Sequence, residues 1–486
     1  MKKNKESGLL KSFIEYFYGN FVVLLLGFIS LPLITRVMTT DEYGRTAMFT
    51  SAVTIIYIFA ILGLDQAYIR FFYKEGVDRG ELMAKCLRYP FLLILLLSAV
   101  YAVFSPLFNQ FLFGRSAVDI TLLVIVYTVT SVFERFLFLG IRMEQNGKLY
   151  SNLNIFSKVF YIVLILVFVR ILGNDFRVVL YGLTIPLVTV TVFLGIRFLI
   201  IQRKEKRSQA ETLSAKELLT YGVPFVPMLL MEWLLSSMDR WSIKIFNDFS
   251  ETGIYSAAMQ IMSVLLTLKA TYVAFWAPIA MKKYENDPEQ ENKAFFRDVF
   301  EKVQFLCLSA AFGITILRGI IVLILGEGYR DAVRILPFLT LMPILSILFE
   351  MTGQGIKFKG RIIYFNYASF AAILCNLIGN TLLVPRYRGV GAALATAITY
   401  VIYFAIATYF SEKCYPVRYD FKRFLVSLVL YGGYAAYATV VGSVKGVWHT
   451  ALPGVLLLLI HIGINFQTVK SLLEYLFGLL RKEGAK

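Results

Sequence analysis

Apolar runs of about twenty residues follow one another along nearly the whole chain, separated by short polar stretches. That is about the length an α-helix needs to cross the hydrocarbon core of a bilayer. The pattern predicts about fourteen spans, at 13–35, 46–71, 89–113, 117–140, 150–172, 177–201, 218–245, 253–280, 299–325, 331–352, 362–385, 389–411, 422–441 and 447–467. Pro106 and Asn109 predict a break near the outer end of the third span, and Pro224 and Pro227 a bend in the seventh. Pro32 and Pro186 predict kinks in the first and sixth. The basic start "MKKNKESGLLKSFIEYFYGN" runs into apolar sequence up to about Thr35 without a small-residue cleavage site, so it reads as a retained first span.

The chain also echoes itself. "ITRVMTTDEYGRTAMFTSAV" (Ile34–Val53) resembles "SIKIFNDFSETGIYSAAMQI" (Ser242–Ile261), with Glu42 and Gly44 matching Glu251 and Gly253. "GIRMEQNGKLYSN" (Gly140–Asn152) resembles "GIKFKGRIIYFN" (Gly355–Asn366) at nearly the same separation. The separation covers six spans, an even number, so the halves keep one orientation, as parallel transporter repeats do. The expected fold is an all-α integral membrane protein of two six-helix lobes in parallel pseudo-repeat, with two further C-terminal helices. Its parts are an N-terminal lobe over 1–201, a cytoplasmic linker over 202–217 and a C-terminal lobe over 218–411. The extra spans follow over 412–467, then an amphipathic tail over 468–486 expected to lie along the inner membrane surface. "GVGAALATAITY" (Gly389–Tyr400), rich in small residues, predicts close helix packing.

Composition agrees with this picture. Of 486 residues, 58% are hydrophobic and 17% charged, too little polar surface for a soluble protein of this length. The net charge of +17 is spread over loops between apolar runs, not gathered on a soluble face, which argues against nucleic-acid binding. About 31 of the 49 Lys and Arg residues fall in alternate loops that include both termini. The positive-inside rule then places both termini in the cytoplasm. The four cysteines, Cys86, Cys307, Cys375 and Cys414, have no metal-ligand spacing, and with two histidines neither metal nor cofactor is called for. No GxxxxGK[ST] phosphate loop is present, and no outer loop is long enough for a catalytic domain, so a transporter is expected rather than an enzyme.

A charge inside a membrane span costs roughly 2.5–3.5 kcal/mol on insertion scales and tends to face a bundle interior or a water-filled cavity. Such charges cluster here at Asp65, Arg70, Glu134, Arg135, Lys158, Glu232, Asp239, Arg240 and Lys269, while the later spans hold almost none. Asn376 and Asn380 share one face of the eleventh span. Arg70, Arg135, Lys158, Arg240 and Lys269 are the candidate contacts for an anionic head group such as a diphosphate, because phosphate oxygens take charge-assisted hydrogen bonds from Arg and Lys. Asp65, Glu232 and Asp239 are the candidates for carrying a coupling proton or holding Na⁺. The bland alternatives stand beside these. Arg70, Glu134 and Arg135 lie near inner span ends, where long side chains reach the interface. Asp239 and Arg240 could form a structural pair, and Lys269 could sit over Tyr272 or Trp276.

"LPLITRVMTTDEYG", "LLTYGVPFVPMLLMEWLLSSMDRWSIKIFNDFSETGIYSAA" and "NLIGNTLLVPRYRGVGAALATAITY" resemble the polysaccharide transporters that flip lipid-linked oligosaccharides. These belong to the multidrug, oligosaccharidyl-lipid and polysaccharide exporter (MOP) superfamily, and the likeness runs from about residue 10 to 465. The resemblance implies a two-lobed bundle with a central cavity open alternately to either side. It also implies a substrate of oligosaccharide on undecaprenyl diphosphate, a possible polysaccharide polymerase as partner, and a bacterial plasma-membrane location. The Asp-Arg pair of the seventh span maps onto Asp239 and Arg240. The rival expectations are a lipid II flippase, a drug/cation antiporter, and a membrane-embedded polysaccharide polymerase or ligase.

Overall fold

The computed structural model describes residues 2–204, 213–442 and 447–483, and every regular element among them is helical. The first ten helices are α1 (Lys2–Val37), α2 (Thr40–Ile61), α3 (Leu64–Phe71), α4 (Arg79–Val103), α5 (Ser105–Phe113), α6 (Val118–Met143), α7 (Gly147–Leu172), α8 (Arg177–Lys204), α9 (Ala215–Gly222) and α10 (Phe225–Phe246). Polar residues mark their starts. Thr39, Asp78 and Asn146 accept hydrogen bonds from the first-turn amides of α2, α4 and α7, and Ser214 with Glu217 makes a capping box on α9. The second predicted span breaks at Leu62 and Gly63, both with left-handed backbone (φ 52° and 64°). The third breaks at Phe104, just before Pro106, and the seventh between Gly222 and Phe225, at Pro224, as their prolines predict.

After α10 come α11 (Phe249–Asn286), α12 (Glu289–Val322), a short 3₁₀ turn, α13 (Ala332–Leu339), α14 (Leu341–Thr352), α15 (Gln354–Phe358), α16 (Ile363–Cys414), α17 (Lys422–Val441), α18 (Val447–Ile464) and α19 (Phe466–Glu483). The 52 residues of α16 would measure about 78 Å if straight, over twice the hydrocarbon thickness. Instead the chain turns at Arg388, whose backbone lies at φ 51° and ψ −132°. The two arms, 363–387 and 389–414, fold back on each other, so that Asn376 Nδ2 lies 3.4 Å from Thr396 Oγ1. The small residues beyond the turn permit this: a Cβ on Gly379 would stand 2.9 Å from that of Ala395, and one on Gly391 2.5 Å from the Leu383 carbonyl oxygen. Among the described residues twelve helices suit a membrane span by length and composition, and the pair α18–α19, bent by 75°, makes a thirteenth if it is counted as one span. Counting the arms of α16 separately gives the fourteen expected.

The chain divides into two compact units, Met1–Ser237 and Met238–Lys486. The division lies inside α10, later than the 202–217 linker where sequence places it; residues 205–212 are outside the described part. Two helix ends meet closely in the first unit. A Cβ on Gly222 would meet the carbonyl carbon and oxygen of Gly63 at 2.9 Å, so α9 seats against α3 backbone to backbone. Within this unit Tyr68, Phe72 and Phe136 pack in a core with Leu64 and Met83. The second unit centres on Trp276, Phe296, Phe300, Phe312, Tyr431 and Tyr434. Val159, Val163 and Leu166 on α7 point outward and exposed, the side a lipid tail would cover.

Candidate functional site: a charged cavity and a buried carboxylate

In the first unit, α6 places Glu134 and Arg135 side by side in the bundle interior. Arg135 turns to α3: its Nη2 and Nε donate to Asp65 Oδ2 at 2.7 and 3.1 Å. Asp65 is only 3% exposed and also accepts from Gln66. The two expected site residues therefore neutralise each other. Beside them lies a cavity of about 390 Å³ reached by Arg135, Glu134, Tyr57 of α2, Tyr127 of α6 and Asn154 of α7. A second cavity, of about 270 Å³, shares Tyr127, Glu134 and Asn154 and extends to Lys158 and Pro186. The Lys158 ammonium sits 4.7 Å over the Tyr161 ring and has no carboxylate within 4 Å among the described residues. Glu134 likewise has no ion pair or hydrogen bond among them. Sequence places Glu134 near an interface; the structure puts it on the wall common to both cavities.

The stripe along α10 divides between the units, Glu232 and Ser236 belonging to the first and Asp239 to the second. Glu232 and Ser236 are exposed, whereas Asp239, one turn on, is 4% exposed. Four neutral groups point at the Asp239 carboxylate. Asn376 and Asn380 donate to Oδ1 at 3.1 and 2.8 Å, and the hydroxyls of Thr396 and Tyr255 donate to Oδ2. No basic side chain lies within 4 Å of it among the described residues, so Asp239 and Arg240 are not an ion pair. Arg240 is half-buried and its Nε is buried without a partner; the Asn380 Oδ1 is buried and unpartnered too. The helical spacing of Asn376 and Asn380 was visible in the sequence, but Tyr255 and Thr396 carried no signal of their own. Lys269 lies 3.7 Å from Glu350 on α14, whose other oxygen takes Lys357 at 2.9 Å. Arg70 is exposed at the end of α3.

The internal repeat reappears in these contacts. Arg135 and Glu350 stand 215 positions apart, the spacing of the "GIRM" and "GIKF" motifs, and each pairs with an earlier helix of its own unit, α3 and α11. In the first unit the pair is Asp65–Arg135, in the second Lys269–Glu350, with the signs reversed. Glu42 and Glu251 also play matching parts. Glu42 accepts from the amide of Phe176 ahead of α8 at 2.9 Å, and Glu251 from that of Gly389 at the start of the second arm of α16 at 3.4 Å. Around Glu42 a polar network ties three loop ends: Arg115 reaches Glu42 at 2.8 Å and Asp175 at 3.3 Å, and Arg177 joins Asp175 to Asp119. Burial alone would raise the Asp175 carboxyl; the hydrogen bonds from Arg177 and the charges of Arg177 and Arg115 hold it below the ordinary range.

Known proteins bear on this arrangement. The model of the family described as "Polysaccharide biosynthesis protein" matches residues 9–282, more than half of the chain. A "Probable low-salt glycan biosynthesis flippase Agl15" from Haloferax volcanii is 21% identical over 439 residues, covering 89% of this chain and 91% of that protein. Among solved structures, "Lipid II flippase MurJ, inward closed conformation" superposes with a TM-score of 0.65 at 16% identity, over 94% of this chain and 99% of the other. An outward-facing multidrug resistance MATE family transporter of the MOP superfamily gives 0.55 at 13% identity, over 85% and 96%. The likeness in sequence runs through both units' opening spans and the likeness in fold through almost every helix: this chain belongs to the polysaccharide biosynthesis protein family and has the fold of the MOP superfamily.

Proposed function

We propose that this protein is a flippase that carries an oligosaccharide linked to undecaprenyl diphosphate from the cytoplasmic to the outer leaflet of a bacterial plasma membrane. The prenyl tail stays in lipid while the polar head crosses by alternating access, and both termini face the cytoplasm. The observation that carries the reading is the cavity of about 390 Å³ walled by Glu134, Arg135, Tyr57 and Asn154 inside helices otherwise built of apolar residues. Charged and amide groups are costly at membrane depth and are kept where something polar must pass. Membership of the polysaccharide biosynthesis family and the flippase named among the relatives support the same substrate class.

Asp239 is the group we assign to ion coupling. A buried carboxylate surrounded by neutral donors is partly compensated by their hydrogen bonds, and a proton or Na⁺ would supply the missing charge. The amide nitrogens of Asn376 and Asn380 and the Thr396 hydroxyl face the carboxylate with no cation among them, which leaves its charge to be met by the coupling ion.

The test is deletion of the gene followed by leaflet-resolved analysis of undecaprenyl-linked sugars. A complete repeat unit trapped on the cytoplasmic side, released by the wild-type gene and not by Asp239→Asn, is the expected result. Normal lipid intermediates with altered drug tolerance would replace the flippase reading with a drug antiporter. Units that reach the outer leaflet and are never joined would replace it with a polymerase.

A further inference from the structure

We propose that the cavity inside the first unit is the seat of the sugar rings, not of the diphosphate; this rests on the flippase reading above. Charge decides it. Of the ionisable groups at the cavity, Arg135 is bound to Asp65, and what remains is one free carboxylate, Glu134, and one ammonium, Lys158, held over a tyrosine face. The four formal charges cancel. A diphosphate placed here would meet Glu134 at close range with no cation surplus to offset it, and in a low-dielectric interior that repulsion is strong. A site built for phosphate gathers several unpaired Arg or Lys side chains, and among the described residues this lining has one, Lys158.

The same lining fits a saccharide. Adjacent sugar hydroxyls donate and accept at once, so one can donate to the Glu134 carboxylate while its neighbour accepts from Lys158 or the Asn154 amide. Tyr127 and Tyr57 are both in the lining, and a tyrosine ring suits the apolar C–H side of a pyranose. The two cavities, of about 390 and 270 Å³, meet at Tyr127, Glu134 and Asn154, so consecutive rings would lie on either side of that wall. Lys158, an expected diphosphate contact, becomes a sugar contact, and Glu134 becomes the residue that reads hydroxyl pattern. Discrimination would be high, because a sugar lacking the matching hydroxyl leaves a membrane-buried carboxylate unpaired.

The experiment uses the full chain in lipid nanodiscs and ligand-observed saturation-transfer NMR. The probes are a panel of free disaccharides built from hexoses, N-acetylhexosamines and uronic acids, and inorganic diphosphate. The expected result is transfer to at least one disaccharide, weakened about tenfold in affinity by Glu134→Gln and by Tyr127→Ala, and not displaced by diphosphate. Unchanged thermal unfolding midpoints without sugar show that the variants are folded, and the milder Tyr127→Phe retains binding. Displacement by diphosphate, diphosphate binding lost in Lys158→Met, absence of transfer to every sugar, or sugar binding indifferent to Glu134→Gln would each overturn the proposal. Cells separate this failure from that of the flippase reading. If only the subsite is wrong, Glu134→Gln restores glycan export to the deletion strain in full; if the flippase reading is wrong, the deletion strain traps no lipid-linked unit at all.

Discussion

Arg135 and Asp65 are unequal partners: the carboxylate is nearly inaccessible, while the arginine side chain keeps 38% of its surface. Removing Arg135 strands a buried charge, whereas removing Asp65 leaves a cation with access to the cavity. Arg135→Ala is therefore expected to destabilise the protein by about 3 kcal/mol, Asp65→Ala by less, and the double variant to recover part of the loss. Thermal unfolding of the four forms in one detergent closes the cycle, and simple additivity would deny the pair its role. The same logic gives Asp239 a ligand-linked signature. Raising Na⁺ at constant ionic strength should raise the melting temperature of the wild type and not of Asp239→Asn, since a ligand of the folded state stabilises it by mass action. A shift that survives the substitution would place the ion elsewhere. Asp175 offers a pH signature at the loop ends. Its folded pKa lies below its ordinary 3.8, so its stabilisation is complete above that value and is lost as pH falls through the folded pKa. Asp175→Asn should flatten the acid limb of the melting profile and leave the neutral region lower.

At the level of elements, the breaks in the second and seventh spans are where helices yield. Their contact at Gly63 and Gly222 leaves no room for a methyl group, so Gly222→Ala should push α3 and α9 apart at a cost of about 1–3 kcal/mol. Gly195, in α8, has nothing within 4 Å of its would-be Cβ, and Gly195→Ala should be neutral or slightly stabilising. Equal effects of the two substitutions would mean that the α3–α9 contact carries no load. The break positions themselves were readable: Pro106 and Pro224 announce two of them. The break at Leu62–Gly63 was not, because a glycine preceded by leucine within an apolar run has no local signature; the left-handed pair exists because α9 packs onto it.

For the whole molecule, the alternation of basic loops predicts a testable orientation. Single cysteines at the exposed positions Asn174 and Lys359 should divide by side: Asn174→Cys reacts with a membrane-impermeant maleimide in intact cells, and Lys359→Cys only after lysis. The native cysteines are buried or half-buried, which keeps the background low. Reaction of both in intact cells would undo the assignment of cytoplasmic termini. The repeat belongs to this scale as well. Its two halves share helix order, the glutamate clamp at Glu42 and Glu251 and the position of an interhelical ion pair, yet the pair's signs are reversed. Sequence likeness registers the glutamates because they match in kind; it passes over Arg135 and Glu350 because a salt bridge is preserved by exchanging both ends.

The hydropathy of the chain by itself determined the series of spans, the breaks near Pro106 and Pro224 and the all-helical class, while α1 and α8 run on through Pro32 and Pro186. Lipid demands that every backbone group be satisfied within its own helix, so the signal is local and survives in any twenty-residue window. Which charges are paired and which are left over was decided only by the tertiary structure. Asp65 meets Arg135 across 70 positions and Asp239 meets Thr396 across 157. Two neighbours on one helix, Glu134 and Arg135, end with opposite fates, one unpaired at a cavity wall and the other neutralised. No periodicity distinguishes them, because an ion pair depends on what the next helix brings within a few ångströms. That in turn depends on close packing at glycines such as Gly222 and Gly391, whose effect is felt only once the helices have met.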